Sequence, residues 1–264
     1  MSQTDHIVSV SSLPLRDRVV ILSILGVISL LSWVYLVDAA LVMDTMMTKG
    51  SMMQMPVWTA SYFVAMLLMW IIMMIGMMIP TAIPMILIFA AVARKAADQG
   101  AHVSTSAFVV GYVLIWSLFS VAATLSQWAL DDAALLSPMM VSSSPIFGAV
   151  LLTVAGIYQL TPFKNACLEH CRSPAQFISQ SWRPGTFGAF RMGLEHGAFC
   201  LGCCWILMGL LFFGGVMNLI WIAGITLFVL LEKIIPHGIA GGRLAGAGMT
   251  LCGLVLLGIQ LAST

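Results

Sequence analysis

Charge is what this sequence is short of. Charged residues fill 8% of its 264 positions and hydrophobic ones 61%, against about 25% charged in an ordinary soluble domain. That balance excludes a freestanding soluble domain and points to one lipid-embedded domain over 1–264. A net charge of +1 leaves no basic surface for nucleic acid. A glycine-rich phosphate loop, an HExxH pair and a Ser/His/Asp arrangement are all missing, so the chemistries built on them are set aside. No cysteine falls in the hydrophilic segments expected outside the membrane, so a framework of extracellular disulfides is not expected. The first 18 residues are polar and lead to no cleavage-site pattern, so the apolar run after them reads as a retained helix that is both signal and anchor.

What the chain has instead is long apolar runs. Crossing about 30 Å of hydrocarbon takes about 20 residues of helix. Seven runs meet or approach that length: 19–37, 57–93, 103–128, 146–163, 187–213, 216–235 and 239–261. The expectation is therefore an all-α membrane protein, a bundle of about seven transmembrane helices. The second run is too long for one straight span, and Pro80 and Pro84 are expected to kink it or end it, leaving the remainder at the interface. With the N-terminus inside and the C-terminus outside, Arg16, Arg18, Arg94, Lys95, Lys164, Arg172, Arg183, Arg191, Lys233 and Arg243 all fall on the inner side, leaving Lys49 alone outside. Positive charge stays on the cytoplasmic side, so the orientation and the helix count support each other. The expected location is a bacterial inner membrane, crossed several times.

Sulfur is the second abundance: 20 methionines and six cysteines. The run RMGLEHGAFCLGCCWILM, 191–208, places Met192, His196, Cys200, Cys204 and Met208 four apart, with Cys203 three from Cys200. Residues four apart share one face of a helix. Thiols, thioethers and an imidazole on one stripe suit a soft metal ion, Cu(I) above all. Glu195 and His196 are ionisable groups in an apolar run, which need a partner or a cavity. The competing reading makes these cysteines small packing residues and sets Glu195 and His196 at the interface.

Three further segments carry candidates. In 66–85, Met66, Met69, Met73 and Met77 form one stripe, with Met74, Met78 and Met85 beside it. Neutral thioethers bind Cu(I) or Ag(I) without bringing charge into the bilayer, though methionine also stands in for leucine at any single position. Cys167, His170 and Cys171, with Glu169, have ligand-compatible spacing at a helix end but lack the second pair of a structural zinc site. The outer segment 38–56 holds Met43, Met46, Met47, Met52, Met53 and Met55 with Asp38 and Asp44, as a metal-collecting loop or an amphipathic interfacial helix. Glu232 and Lys233 are expected to pair at the inner end of the sixth helix, with His237 after Pro236 at the turn. Tyr158, Gln159, Pro162 and Lys164 are expected to shape the entrance beside Cys167.

Four motifs together carry a family resemblance: WIIMMIGMMIPTAIPM at 70–85, YQLTPFK at 158–164 followed by CLEHCRSP at 167–174, GLEHGAFCLGCCWILM at 193–208, and Met217-Asn218 with EKIIPHG at 232–238. The chain resembles a family of predicted metal-binding integral membrane proteins, long filed as of unknown function, labelled copper-binding and linked to copper delivery to copper enzymes. The resemblance implies a metal, most directly copper, and leaves transport, storage, delivery and catalysis open.

The expected function is Cu(I) binding that assists copper delivery to a cuproenzyme or across the membrane. His196, Cys200, Cys203 and Cys204 are the expected primary ligands. Met192, Met208, Met73, Met74, Met77 and Met78 form a thioether lining, Cys167, His170 and Cys171 an inner relay or acceptor, and Glu195 is a further expected metal-site residue. Expected partners are membrane lipid and a cuproenzyme or copper carrier. Two rivals remain: a thiol–disulfide or metal-dependent oxidoreductase, and a structural subunit of a larger membrane complex.

Overall fold

The computed structural model describes residues 13–48, 57–96, 101–137, 140–235 and 238–262. Among them the chain is all-α, with no strand. In chain order the helices are α1 (Leu15–Thr48), α2 (Ala60–Lys95), α3 (Ala101–Asp132), α4 (Pro145–Gln159), α5 (Pro162–Arg172), α6 (Pro174–Ser181), α7 (Gly185–Gly209), α8 (Leu211–Gly214), α9 (Leu219–Ile234) and α10 (Gly238–Ala262). Five helices are long and apolar enough to cross a membrane, and six if α4 and α5 count as one broken span. The difference from seven lies in α4 and α9. With 15 and 16 residues they rise only about 22–24 Å, short of the hydrocarbon thickness.

The expected fourth span, 146–163, is interrupted within its own sequence. The Thr161 hydroxyl caps the Lys164 N–H at 3.3 Å, and Pro162 supplies a first-turn residue with no N–H to satisfy, so a new helix starts there. The two pieces meet at 64°. The expected fifth span stays one span over Gly185–Gly214, with α8 continuing α7 past Leu210, and Gly215, at φ 97°, turns the chain into α9.

Pro80 and Pro84 do not end the second helix. α2 runs through both for 36 residues, because neighbouring helices and hydroxyls can satisfy backbone groups that proline frees in a membrane helix. Close to them the helix is also tied to α3, where the Tyr112 hydroxyl donates to the Met78 carbonyl at 3.2 Å; Thr81 Oγ1 donates to the same carbonyl at 2.9 Å. At the other boundary, residues 38–48 continue α1 rather than forming a separate outer segment. Met43 packs against the core and Met46 is exposed. Lys49, Met52, Met53, Met55, Pro236, His237 and the Met47 side chain lie outside the described residues.

α3 and α7 cross at backbone contact. A Cβ on Gly111 would stand 2.3 Å from the Phe190 carbonyl oxygen, and one on Gly193 2.1 Å from that of Phe108. Small residues allow this closeness between helices in lipid. α2 runs antiparallel to α3, tied at one end by Trp58 Nε1 donating to Asp131 at 2.6 Å and at mid-helix by Trp70 Nε1 donating to Gln127 at 2.7 Å. An Arg94–Asp17 ion pair joins the end of α2 to the start of α1. α5 packs on α7, and α10 on α4.

Candidate metal centre

The methionine and cysteine stripes turn inward. Met192, His196, Cys200, Cys203, Cys204 and Met208 of α7 are buried, as are Met73, Met74, Met77 and Met78 of α2, and the sulfur residues among them share one apolar core. The closest backbone neighbours of α2 are α3 and α1, so its methionines reach toward α7 as side chains rather than across a direct helix crossing.

Cys200 sits at the centre. Its sulfur lies 3.1 Å from the Tyr112 hydroxyl of α3 and 3.0 Å from the Lys233 ammonium of α9. The thiols of Cys171, Cys203 and Cys204 are its neighbours. Cys203 and Cys204 each point a thiol at the Cys200 carbonyl oxygen at 3.0 Å. Helical spacing explains this, since residues three and four on from Cys200 cover the same face. Lys233 Nζ further donates to Thr81 Oγ1 of α2 at 2.9 Å, so side chains from α3 and α9 meet the Cys200 sulfur of α7, with α2 behind the ammonium.

His196 lies one turn before Cys200. Its ring stacks against Phe108 and Tyr112, at centroid distances of 6.0 and 5.6 Å, and Phe177 leans on it at 5.6 Å. Its Nδ1 is buried with no hydrogen-bond partner, which ordinarily costs about 1–3 kcal/mol. An unpartnered imidazole nitrogen beside a thiol cluster suits a soft cation. Among the described residues, no three His, Cys, Asp or Glu side chains already stand as a coordination sphere. The donors fit in kind, but the thiols of Cys203 and Cys204 would have to rotate away from the Cys200 carbonyl to reach an ion.

The other expected residues are placed less centrally. Cys171 joins the cluster. Cys167 is buried at the α5–α7 contact, where a Cβ on Gly202 would stand 2.8 Å from its sulfur. His170 does not join it: the ring lies flat on Phe199 at 4.1 Å, and Nδ1 is 2.9 Å from the Ala166 carbonyl. With Glu169, Ser173 and Gln176 it lines an open cavity of about 70 Å³. Glu195 turns to the surface, held by Arg183 and, at 3.5 Å, by Arg191.

Glu232 and Lys233 do not form the expected pair. Glu232 accepts from Lys164 and, at 2.6 Å, from Gln159 Nε2, while Lys233 turns to Cys200. Consecutive helix positions point about 100° apart, so neighbouring charges cannot face one another. That spacing was the available signal for Lys233, which basic-residue counting alone assigns to the interface. Tyr158 does sit beside Cys167, with its hydroxyl bonded to the Gly202 carbonyl, while Gln159 and Lys164 serve the Glu232 carboxylate. Tyr112 was missed: a lone tyrosine in an apolar run carries no pattern.

Fold and site together define an all-helical protein of membrane-crossing composition whose interior is lined with sulfur. Residues 67–256 match the family described as PpoB2, copper chaperone, and the chain belongs to that family. The four motifs at 70–85, 158–174, 193–208 and 217–238 all lie within the matched stretch. No curated protein and no solved structure matches.

Proposed function

We propose that this protein holds Cu(I) in the membrane and hands it to a copper enzyme or carrier, or across the bilayer. Cys200, Cys203, Cys204 and His196 are the primary ligands, with Cys171 entering from α5. Met73, Met74, Met77, Met78, Met192 and Met208 form a neutral thioether lining. Cys167 and His170 stand on the exit side, and Glu195 anchors that end of α7 through its arginines. The observation that carries this reading is the convergence of thiols, an ammonium and a phenol on the Cys200 sulfur beside an unpartnered imidazole nitrogen. Soft thiolates favour Cu(I) over Mg²⁺ or Ca²⁺, and the ammonium offsets thiolate charge in a place where lone charge is costly. Membership of a copper chaperone family supports the cargo.

The chain is one domain in a bacterial inner membrane, crossing seven times with the N-terminus inside. The short helix α4 completes its span with the flanking α5, and α9 makes the sixth crossing as a short helix. The ion pair of Arg94 with Asp17 supports the topology, since it joins the end of α2 to the start of α1 on the side richest in Lys and Arg.

The test is metal content. Protein purified anaerobically should retain about one or more equivalents of Cu(I) or Ag(I), and Cys200→Ser/Cys203→Ser/Cys204→Ser should abolish thiol-bound metal with the helical circular dichroism unchanged. Wild-type protein that binds neither ion would overturn the reading. The proximity of four thiols also favours a thiol–disulfide oxidoreductase. In that case mild oxidants lower the free-thiol count by two while copper retention stays at background.

A further inference from the structure

A second sulfur arrangement lies along α2 and α3, about 22 Å of helix rise from the Cys200 cluster. Its centre is Gln127 of α3, 2% exposed. The Trp70 indole N–H donates to Gln127 Oε1 at 2.7 Å. This bond sets the orientation of the amide, because only the oxygen can accept. The NH2 group therefore faces the other way, where its partners are two thioethers, Met140 Sδ at 3.3 Å and Met66 Sδ at 3.6 Å. Thioether sulfur is a weak acceptor, so a buried amide is spending its donors poorly in a low-dielectric interior.

Met140 supplies an independent observation. Its backbone adopts φ 55°, a left-handed conformation that costs a residue other than glycine about 1–2 kcal/mol. Two backbone bonds hold it there: Met140 N–H to the Ser137 carbonyl at 2.8 Å, and Val216 N–H to the Met140 carbonyl at 3.4 Å. The result is a loop methionine turned into the bundle, 6% exposed, with its sulfur on Gln127. Strain of this kind persists only where the surroundings enforce it, and it gathers at functional positions. From Met66 the stripe Met69, Met73 and Met77 leads along α2 toward Thr81 and Lys233.

We propose that Met66 and Met140, backed by Gln127, form a thioether site for a soft monovalent cation, Cu(I) or Ag(I), separate from the thiol cluster. The ligands are neutral, so the ion enters without deprotonating anything, and hard divalent ions find no charge to bind. In the empty state the Gln127 amide occupies the sulfur lone pairs and holds the two side chains together. On loading, the ion takes its place. That the ion then moves along the α2 methionines to Cys200 rests on the function proposed above; the site itself does not.

The experiment is anaerobic Ag(I) titration of the full chain in lipid nanodiscs. Wild-type protein binds at least two ions, and Met66→Leu/Met140→Leu loses one of them while its melting temperature is retained. The Cys200→Ser/Cys203→Ser/Cys204→Ser variant keeps the equivalent that the leucine variant loses. X-ray absorption of that thiol-depleted variant, grown with selenomethionine and loaded with Cu(I), shows selenium neighbours around copper. If the double leucine change leaves stoichiometry and affinity as in wild type, the thioether site is refuted and the thiol reading stands. If wild type binds no Ag(I), both fall. Should the double variant fail to fold, Met66→Leu alone is titrated and read in the same way.

Discussion

Two lysines turn into the bundle at nearly the same place, and they end in opposite company. Lys164 of α5 meets a carboxylate: Glu232, itself supported by Gln159. Lys233 of α9, the residue next to Glu232, meets the Cys200 sulfur and the Thr81 hydroxyl. The first arrangement joins α4, α5 and α9 at the point where the fourth span breaks, and a Cβ on Gly242 of α10 would press against the same carboxylate. It is a closed pair with its charge cancelled. The second is an open one, because an ammonium facing a thiol is neutralised only when the thiol gives up its proton. Buried charge that is matched holds a fold together, whereas charge left for a thiol to match prepares that thiol for a metal.

The largest effect should come from breaking the closed pair. Lys164→Met leaves the Glu232 carboxylate buried with an amide alone, and removing one partner of a buried pair costs about 3–5 kcal/mol. The thermal midpoint in detergent should fall sharply. Lys164→Met/Glu232→Leu should recover most of the loss, because the orphaned charge has gone. An unchanged midpoint in Lys164→Met, or an equal loss in Lys233→Met, would show that the two lysines do not differ in this way.

Lys233→Met should do the reverse, with stability held within about 1 kcal/mol, as for a half-buried side chain without a carboxylate, and metal binding weakened. A Cu(I) ion between two thiolates carries a net negative charge, which the ammonium offsets. Losing that cation should cut Ag(I) affinity about tenfold, equivalent to about 1.4 kcal/mol, measured by ligand competition. Lys233→Arg, which keeps the charge, should restore part of it. Tighter binding in Lys233→Met would show the ammonium to be a repulsive gate rather than a counter-ion.

How far the sequence revealed this depends on the kind of signal. The α7 stripe was legible because helical periodicity forces Met192, His196, Cys200, Cys204 and Met208 onto one face, and that face is buried. Apolar run length revealed the long spans but not the break at Leu160, which depends on local capping and on how the pieces pack. Prolines in α2 misled in the other direction, since α2 runs through both without ending, as a membrane helix packed among others can. Glu195 was singled out as an ionisable group in an apolar run, and the partner it finds is Arg183. Tyr112 and Gln127 stayed hidden because single polar residues acquire meaning only from what the fold sets opposite them.

The smallest expected effect is at Tyr112. Tyr112→Phe removes one hydroxyl from the open site, taking away its contact with Cys200 at 3.1 Å and its bond to the Met78 carbonyl at 3.2 Å. A single hydrogen bond is worth about 0.5–1.5 kcal/mol, so Ag(I) affinity should fall only about two- to fivefold and the bundle should stay folded. Tyr158→Phe is the matched control. It deletes the same group from a tyrosine that bonds the Gly202 carbonyl of the same helix but does not touch Cys200. If the open site works through the Cys200 sulfur, the Tyr112 change weakens silver binding and the Tyr158 change does not, though both cost a similar amount of stability. Equal losses of affinity in the two variants would mean that the phenol only packs α3 against α7, leaving the tuning of that sulfur to Lys233.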